Sequence, residues 1–216
     1  MSRYRFTILM AAFLCLLLVY PFLKYFKLTH IDFLLDIFVT LLLISCIHAL
    51  SASHRQAIVA SLVIIPAIFV NWIGVFVASR PLEIFIDLYK IGASSYICFG
   101  LLKYALQAGV VDREKIAAAV NAYLFFGLIW RDLYSLISLL IPDAFNSDLL
   151  SQTDFLYYSF VTLSTLGYGD IAPVVGPAKA LAYIEAIVGQ LYLTILVARL
   201  VGLHIAHTGP ECQDRD

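Results

Sequence analysis

The strongest constraint on this chain is a succession of long apolar stretches with little polar sequence between them. Six stand out, at 6–22, 31–50, 57–77, 82–106, 116–141 and 178–203. Of 216 residues, 62% are hydrophobic and 13% charged, with a mean hydropathy of +0.92. Soluble domains carry roughly 45–50% apolar and 25% charged residues. The bilayer core supplies no water to backbone polar groups, so crossing segments must close their hydrogen bonds internally. A helix of about 20 apolar residues does this over the hydrocarbon thickness. The stretches therefore predict an all-α membrane protein with six transmembrane helices. A net charge of −1 leaves no basic surface for nucleic acid. Cys15, Cys46, Cys98 and Cys212 lack zinc or disulfide spacing, and the first three read as small hydrophobes inside spans.

The first span follows Arg3 and Arg5. Its length, and Tyr20-Pro21 where a cleavage site would need small residues, favour a retained helix over a signal peptide. Asp32 and Asp36 lie one turn apart near the start of the second span. That position suits the positive end of a helix, and a counter-charge for another helix is the alternative. Pro66 is expected to kink the third span, and Asn71-Trp72 to mark its interfacial end. The fourth span offers Glu83, Asp87, Lys90 and Lys103 but no arginine. A charge crossing the field contributes about 2.3 kcal/mol per 100 mV, so a voltage sensor needs basic residues at every third position. Lys90 is better read as a local partner of Asp87. Residues 1–110 thus read as a four-helix, voltage-sensor-like domain lacking gating arginines, and no steep voltage dependence is expected.

Asp112 is placed to cap the fifth span. Near the middle of that span lie Arg131 and Asp132, where an unpaired charge is costly. Glu185 on the sixth span is an available partner for Arg131, and an aqueous crevice is the alternative. The intervening loop carries Asp143 and Asp148, followed by Asp154; acidic residues at a cation entrance would raise the local cation concentration, and a solvated loop without that role is the alternative. Residues 155–164 read as a short amphipathic helix. Thr165-Leu166-Gly167-Tyr168-Gly169-Asp170 follows. Glycine adopts positive φ at little steric cost, so alternating ordinary and glycine-type conformations aim successive carbonyls the same way. Repeated around an axis, such a ribbon presents rings of carbonyl oxygens able to replace the hydration shell of K⁺.

Phe160-Val161-Thr162-Leu163-Ser164 together with that hexapeptide resembles the pore signature of the tetrameric potassium channels, with Leu166 where the family most often carries valine. The resemblance covers 116–203; upstream it extends only to a six-span layout. It implies a re-entrant pore helix and selectivity filter, with K⁺ sites at the carbonyls of Thr165, Leu166, Gly167 and Tyr168, and no cofactor beyond the permeant ion. Asp170 would mark the outer mouth, and Tyr157 and Tyr158 would cuff the filter. Val161 departs from relatives that place a carboxylate behind the filter. Gly189 stands at the family's hinge position, with close packing as the alternative. Gln190, Leu193 and Val197 would line the cavity, and Val201 and Ile205 would continue as a hydrophobic gate, unless that stripe is helix packing.

The pore domain implied is 111–207, followed by a short tail, 208–216, without a ligand-binding domain. His204 and His207 near the gate permit proton sensing, although interfacial histidines are commoner. Arg3, Arg5, Arg55, Lys103, Arg113, Lys115, Arg199 and Arg215 fall on one side of a six-span topology. Lys24, Lys27, Arg80 and Lys179 fall on the other. The bias puts both termini in the cytoplasm and the filter mouth outside. The expected function is passive potassium conduction through a homotetramer in the cell membrane, in contact with lipid, with a cytoplasmic regulator possible. A regulatory, non-conducting subunit or a weakly selective cation channel is the alternative. No catalytic motif is present.

Overall fold

The apolar stretches become helices whose ends fall at the polar links. A computed structural model describes residues 4–25, 31–51, 54–76, 79–107, 109, 111–147 and 150–208. Among the described residues, seven helices run in the order α1 (Arg5–Tyr25), α2 (Ile31–Leu50), α3 (His54–Phe76), α4 (Arg80–Ala105), α5 (Arg113–Leu140), α6 (Gln152–Leu163) and α7 (Gly176–Thr208). Among the described residues there is no strand, only an isolated antiparallel bridge between Phe145 and Pro173. Segments His54–Gly74, Arg80–Ala105, Arg113–Leu140 and Gly176–Arg199 are long and apolar enough to cross a membrane, so the chain is a multi-pass membrane protein. The apolar parts described for α1 and α2, Arg5–Val19 and Ile37–Leu50, are shorter. The side chains of Asp32, Asp36, Val201, His204, Ile205 and His207 lie outside the described residues, as do Asp148 and Cys212 entirely.

One apolar core joins the first four helices to α5. Phe6, Leu9 and Phe13 of α1 share it with Leu42 and Cys46 of α2, Ile64 of α3, Ile97 and Leu101 of α4, and Phe125 of α5. The Phe6 and Tyr104 rings lie 4.4 Å apart, and those of Phe13 and Phe125 5.5 Å. Cys98 packs so close to α5 that its thiol reaches the Ala122 carbonyl at 3.6 Å. Small residues such as Ala118 and Ala122, both fully buried, permit this approach.

The start of α5 also holds the start of α1. Glu114 accepts from the backbone N–H of Phe6 at 2.8 Å and of Thr7 at 3.2 Å, and from the Thr7 hydroxyl. First-turn amides have no intrahelical acceptor, and a carboxylate there meets the positive end of the helix dipole. Asn121 completes the clamp by donating to the Phe6 carbonyl at 2.9 Å. Asp112 caps α5 as its position suggests, accepting from the Lys115 N–H at 2.9 Å. α3 continues through Pro66; the Tyr89 hydroxyl donates to the neighbouring Val63 carbonyl at 2.9 Å. The carbonyl that Pro66 leaves without its helical donor is that of Leu62, one position before Val63.

A second core places the site. Trp130 and Tyr134 of α5, Phe145 of the following loop, Phe155, Tyr158 and Leu163 of α6, and Ala178 of α7 form a mainly aromatic block. α6 stands against this block.

Candidate functional site: the loop after α6

α6 begins in a reciprocal cap. Asp154 Oδ2 accepts from the Ser151 N–H at 2.7 Å, while the Ser151 hydroxyl oxygen accepts from the Asp154 N–H at 3.4 Å. Asp154 is therefore engaged in the helix start. At the other end the chain turns back on the helix it has just left. The N–H of Thr165 donates to the Thr162 carbonyl at 2.9 Å, and those of Leu166 and Gly167 both reach the Val161 carbonyl, at 2.9 and 3.2 Å. Backbone, not a side-chain carboxylate, thus supplies the bonding at Val161.

With these amides tied to α6, the conformation alternates. φ is +59° at Thr165, +60° at Gly167 and +79° at Gly169, and is not positive at Leu166 or Tyr168. Among the described residues, no hydrogen bond ends on the carbonyls of Thr165, Leu166, Gly167 or Tyr168. These oxygens are available to a ligand. The left-handed conformation costs a non-glycine residue about 1–2 kcal/mol. Thr165 is held in it by its own N–H, by its hydroxyl donating to the Ser164 carbonyl at 2.7 Å, and by Gln190, whose Nε2 donates to that hydroxyl at 3.1 Å. The glycines signalled two positions of the alternation; the threonine had no such signal.

The outer end is fixed by three side chains. The Tyr157 hydroxyl donates to Asp170 Oδ2 at 2.9 Å. This bond holds the Asp170 carboxyl below the usual carboxylate range and raises the Tyr157 phenol. Asn146 donates to the Asp170 carbonyl at 3.0 Å and accepts from the Ala172 N–H at 2.9 Å. Nothing in the sequence singled out Asn146. Tyr158, the other residue expected to cuff the filter, packs edge-to-face in the aromatic block, with ring centroids 4.8 Å from Tyr134 and 5.5 Å from Phe145.

α7 passes behind the loop. A Cβ at Gly189 would run into the Leu163 carbonyl oxygen and lie 3.0 Å from Leu163 Cδ1, so glycine here permits backbone contact with the end of α6. α7 runs through Gly189 unbroken. Gln190, Leu193 and Val197 are exposed, as are Thr165 to Asp170. Glu185 is fully buried. Its Oε2 lies 2.5 Å from the Tyr134 hydroxyl and its Oε1 2.6 Å from Ser159 Oγ.

The expected Arg131–Glu185 pair is corrected. Arg131 reaches its neighbour Asp132, with Nε and Nη2 at 2.9 and 2.5 Å from Oδ1. Although adjacent side chains leave a helix about 100° apart, the arginine stem is long enough to turn back. On the same helix Ser135 donates to Asp87 at 2.7 Å and accepts from Gln152 at 2.6 Å, linking α4, α5 and α6. Lys90 and Asp87 share a cavity of about 470 Å³ there.

Residues 118–204 match the family model described as "Ion channel", which supports an ion channel. Protein LctB of Bacillus caldotenax is 39% identical over 61 residues, covering 28% of this chain and 45% of that protein. The chain thus spans under half the length of that relative. No solved structure matches.

Proposed function

We propose that the protein is a potassium-selective channel in which four copies surround one axis, each contributing the ribbon from Thr165 to Asp170. The observation that carries this reading is the alternating backbone with four unbonded carbonyls. Such carbonyls substitute for the water around K⁺, and ions advance by displacing one another between adjacent sites. One chain forms only one wall of a pore, since its ribbon is exposed along its whole length. The apolar positions Ile187, Leu191 and Ile195 on α7 are also exposed, which suits a helix that packs against neighbouring copies. Gln190, Leu193 and Val197 would face the cavity below the filter, Val201 and Ile205 would narrow it, and Gly189 serves packing first and bending second.

The first four helices would form a sensor-like shell that does not sense. Arg80 at the head of α4 donates to the Leu139 carbonyl of α5 at 3.0 Å from Nε and 2.5 Å from Nη2, anchoring α4 to the pore region. The basic-residue bias places both termini in the cytoplasm of a six-span protein and the Asp170 end of the filter outside. Full-length protein in vesicles loaded with K⁺ should release it when a protonophore balances charge, and should hold Na⁺ under the same conditions. Equal release of both ions would refute potassium selectivity.

A further inference from the structure

Glu185 is a fully buried carboxyl that this reading leaves unused, and its surroundings fix its state. It is fully buried within α7, and no cation pairs with it among the described residues. Arg131 is engaged with Asp132. The groups facing Glu185 are hydroxyls: Tyr134 and, further off, Tyr123 from α5, and Ser159 and Tyr158 from α6. An unpaired carboxylate in such a place carries a heavy desolvation cost.

The protons can be counted. Three short contacts link the cluster: Tyr134 hydroxyl to Glu185 Oε2 at 2.5 Å, Ser159 Oγ to Glu185 Oε1 at 2.6 Å, and Ser159 Oγ to the Gly127 carbonyl at 3.0 Å. A carboxylate only accepts, so an ionised Glu185 leaves two hydroxyl protons to serve three contacts. A carboxylic acid supplies the third. Tyr134 then donates to Oε2, Oε1–H donates to Ser159, and Ser159 donates to the Gly127 carbonyl. Every contact becomes a hydrogen bond.

The cluster lies on the edge that grips the filter. Glu185 and Gly189 are one turn apart on α7, as Ser159 and Leu163 are on α6, and the two pairs meet in register. The next residue, Gln190, holds the Thr165 hydroxyl. We propose that Glu185 stands in the membrane as an uncharged carboxylic acid that pins α7 to α6, and so sets the position from which Gln190 holds Thr165. Glu185 is a positioning residue for conduction, a role that rests on the channel reading above.

Glu185→Gln tests this directly, because an amide can accept from Tyr134 and donate to Ser159. Infrared difference spectra of the full chain in vesicles, wild type minus E185Q, should show a carboxylic-acid C=O band lost in the variant. Potassium release by E185Q should stay within about twofold of wild type, while E185A, missing both bonds, loses more than about tenfold per assembled tetramer. A carboxylate band in place of the acid band, or an E185Q variant as inactive as E185A, would overturn the proposal. Wild-type vesicles that release no K⁺ would instead overturn the channel reading. In that event the acid band, and E185Q melting as wild type does, would still support the neutral tie, whereas a missing band would refute it.

Discussion

Replacing Gly189 with alanine should destabilise the protein although alanine is the better helix former. The gain in helix propensity is about 1 kcal/mol. Against it stands a Cβ driven into the Leu163 carbonyl oxygen, with Leu163 Cδ1 3.0 Å away. The carbonyl belongs to the end of α6 and accepts from Tyr123 at 3.3 Å, so it has little freedom to yield. Overpacking of this kind costs about 1–3 kcal/mol. Because the clash is with backbone, α7 must also retreat, and the Glu185–Ser159 and Gln190–Thr165 bonds, at 2.6 and 3.1 Å, lengthen with it. Each is worth about 0.5–1.5 kcal/mol. The net loss is about 3 kcal/mol per chain, within a range of roughly 1–5. At roughly 2–4 °C per kcal/mol for a chain of this size, the midpoint should fall by about 6–12 °C. Gly92 is the control, because a Cβ there meets nothing within 4 Å. Thermal unfolding followed by circular dichroism in detergent should show Gly92→Ala at or above wild type and Gly189→Ala well below it. A Gly189→Ala protein that melts with the Gly92→Ala control would refute close packing and leave bending as the reason for the glycine.

Gly167→Ala places a side chain at φ +60° and costs about 1–2 kcal/mol in each copy, so tetramers should form but release little K⁺ in a vesicle assay. The Tyr157–Asp170 bond favours the ionised carboxylate, so the tie is complete above the ordinary carboxylate range and is lost as pH falls through the lowered value. Tyr157→Phe should therefore move the acid limit of K⁺ flux to higher pH; an unmoved limit would show that this bond does not govern the mouth. Glu114→Gln weakens the cap on α1 and should lower the melting midpoint by a few degrees, about 1–2 kcal/mol, without changing ion selectivity.

What the residue order revealed, and what it hid, follows the reach of each interaction. Helix placement was legible because apolar length and polar links are local, and part of the alternating backbone after α6 because Gly167 and Gly169 report backbone conformation directly. Asp112 was found as a cap because its bond spans one turn. Glu114 was not, since the amides it caps lie 108 and 107 positions earlier in the chain. Glu185 was noticed only as an available partner for Arg131, which pairs with Asp132 instead. Its hydroxyl partners are 51 and 26 positions away, and Tyr and Ser carry no charge to advertise the match. Thr165 illustrates a different limit. Its left-handed backbone opposes the preference of a β-branched residue, and bonds to Gln190, to the Ser164 carbonyl and to the end of α6 hold it there.

The central claim is that the carbonyls from Thr165 to Tyr168 select potassium. Full-length protein in a planar bilayer, with K⁺ on one side and Na⁺ on the other, tests it most directly. The current should reverse near the potassium equilibrium potential and change little in steepness with voltage. A reversal potential at zero, as for a pore that passes both ions alike, would contradict it.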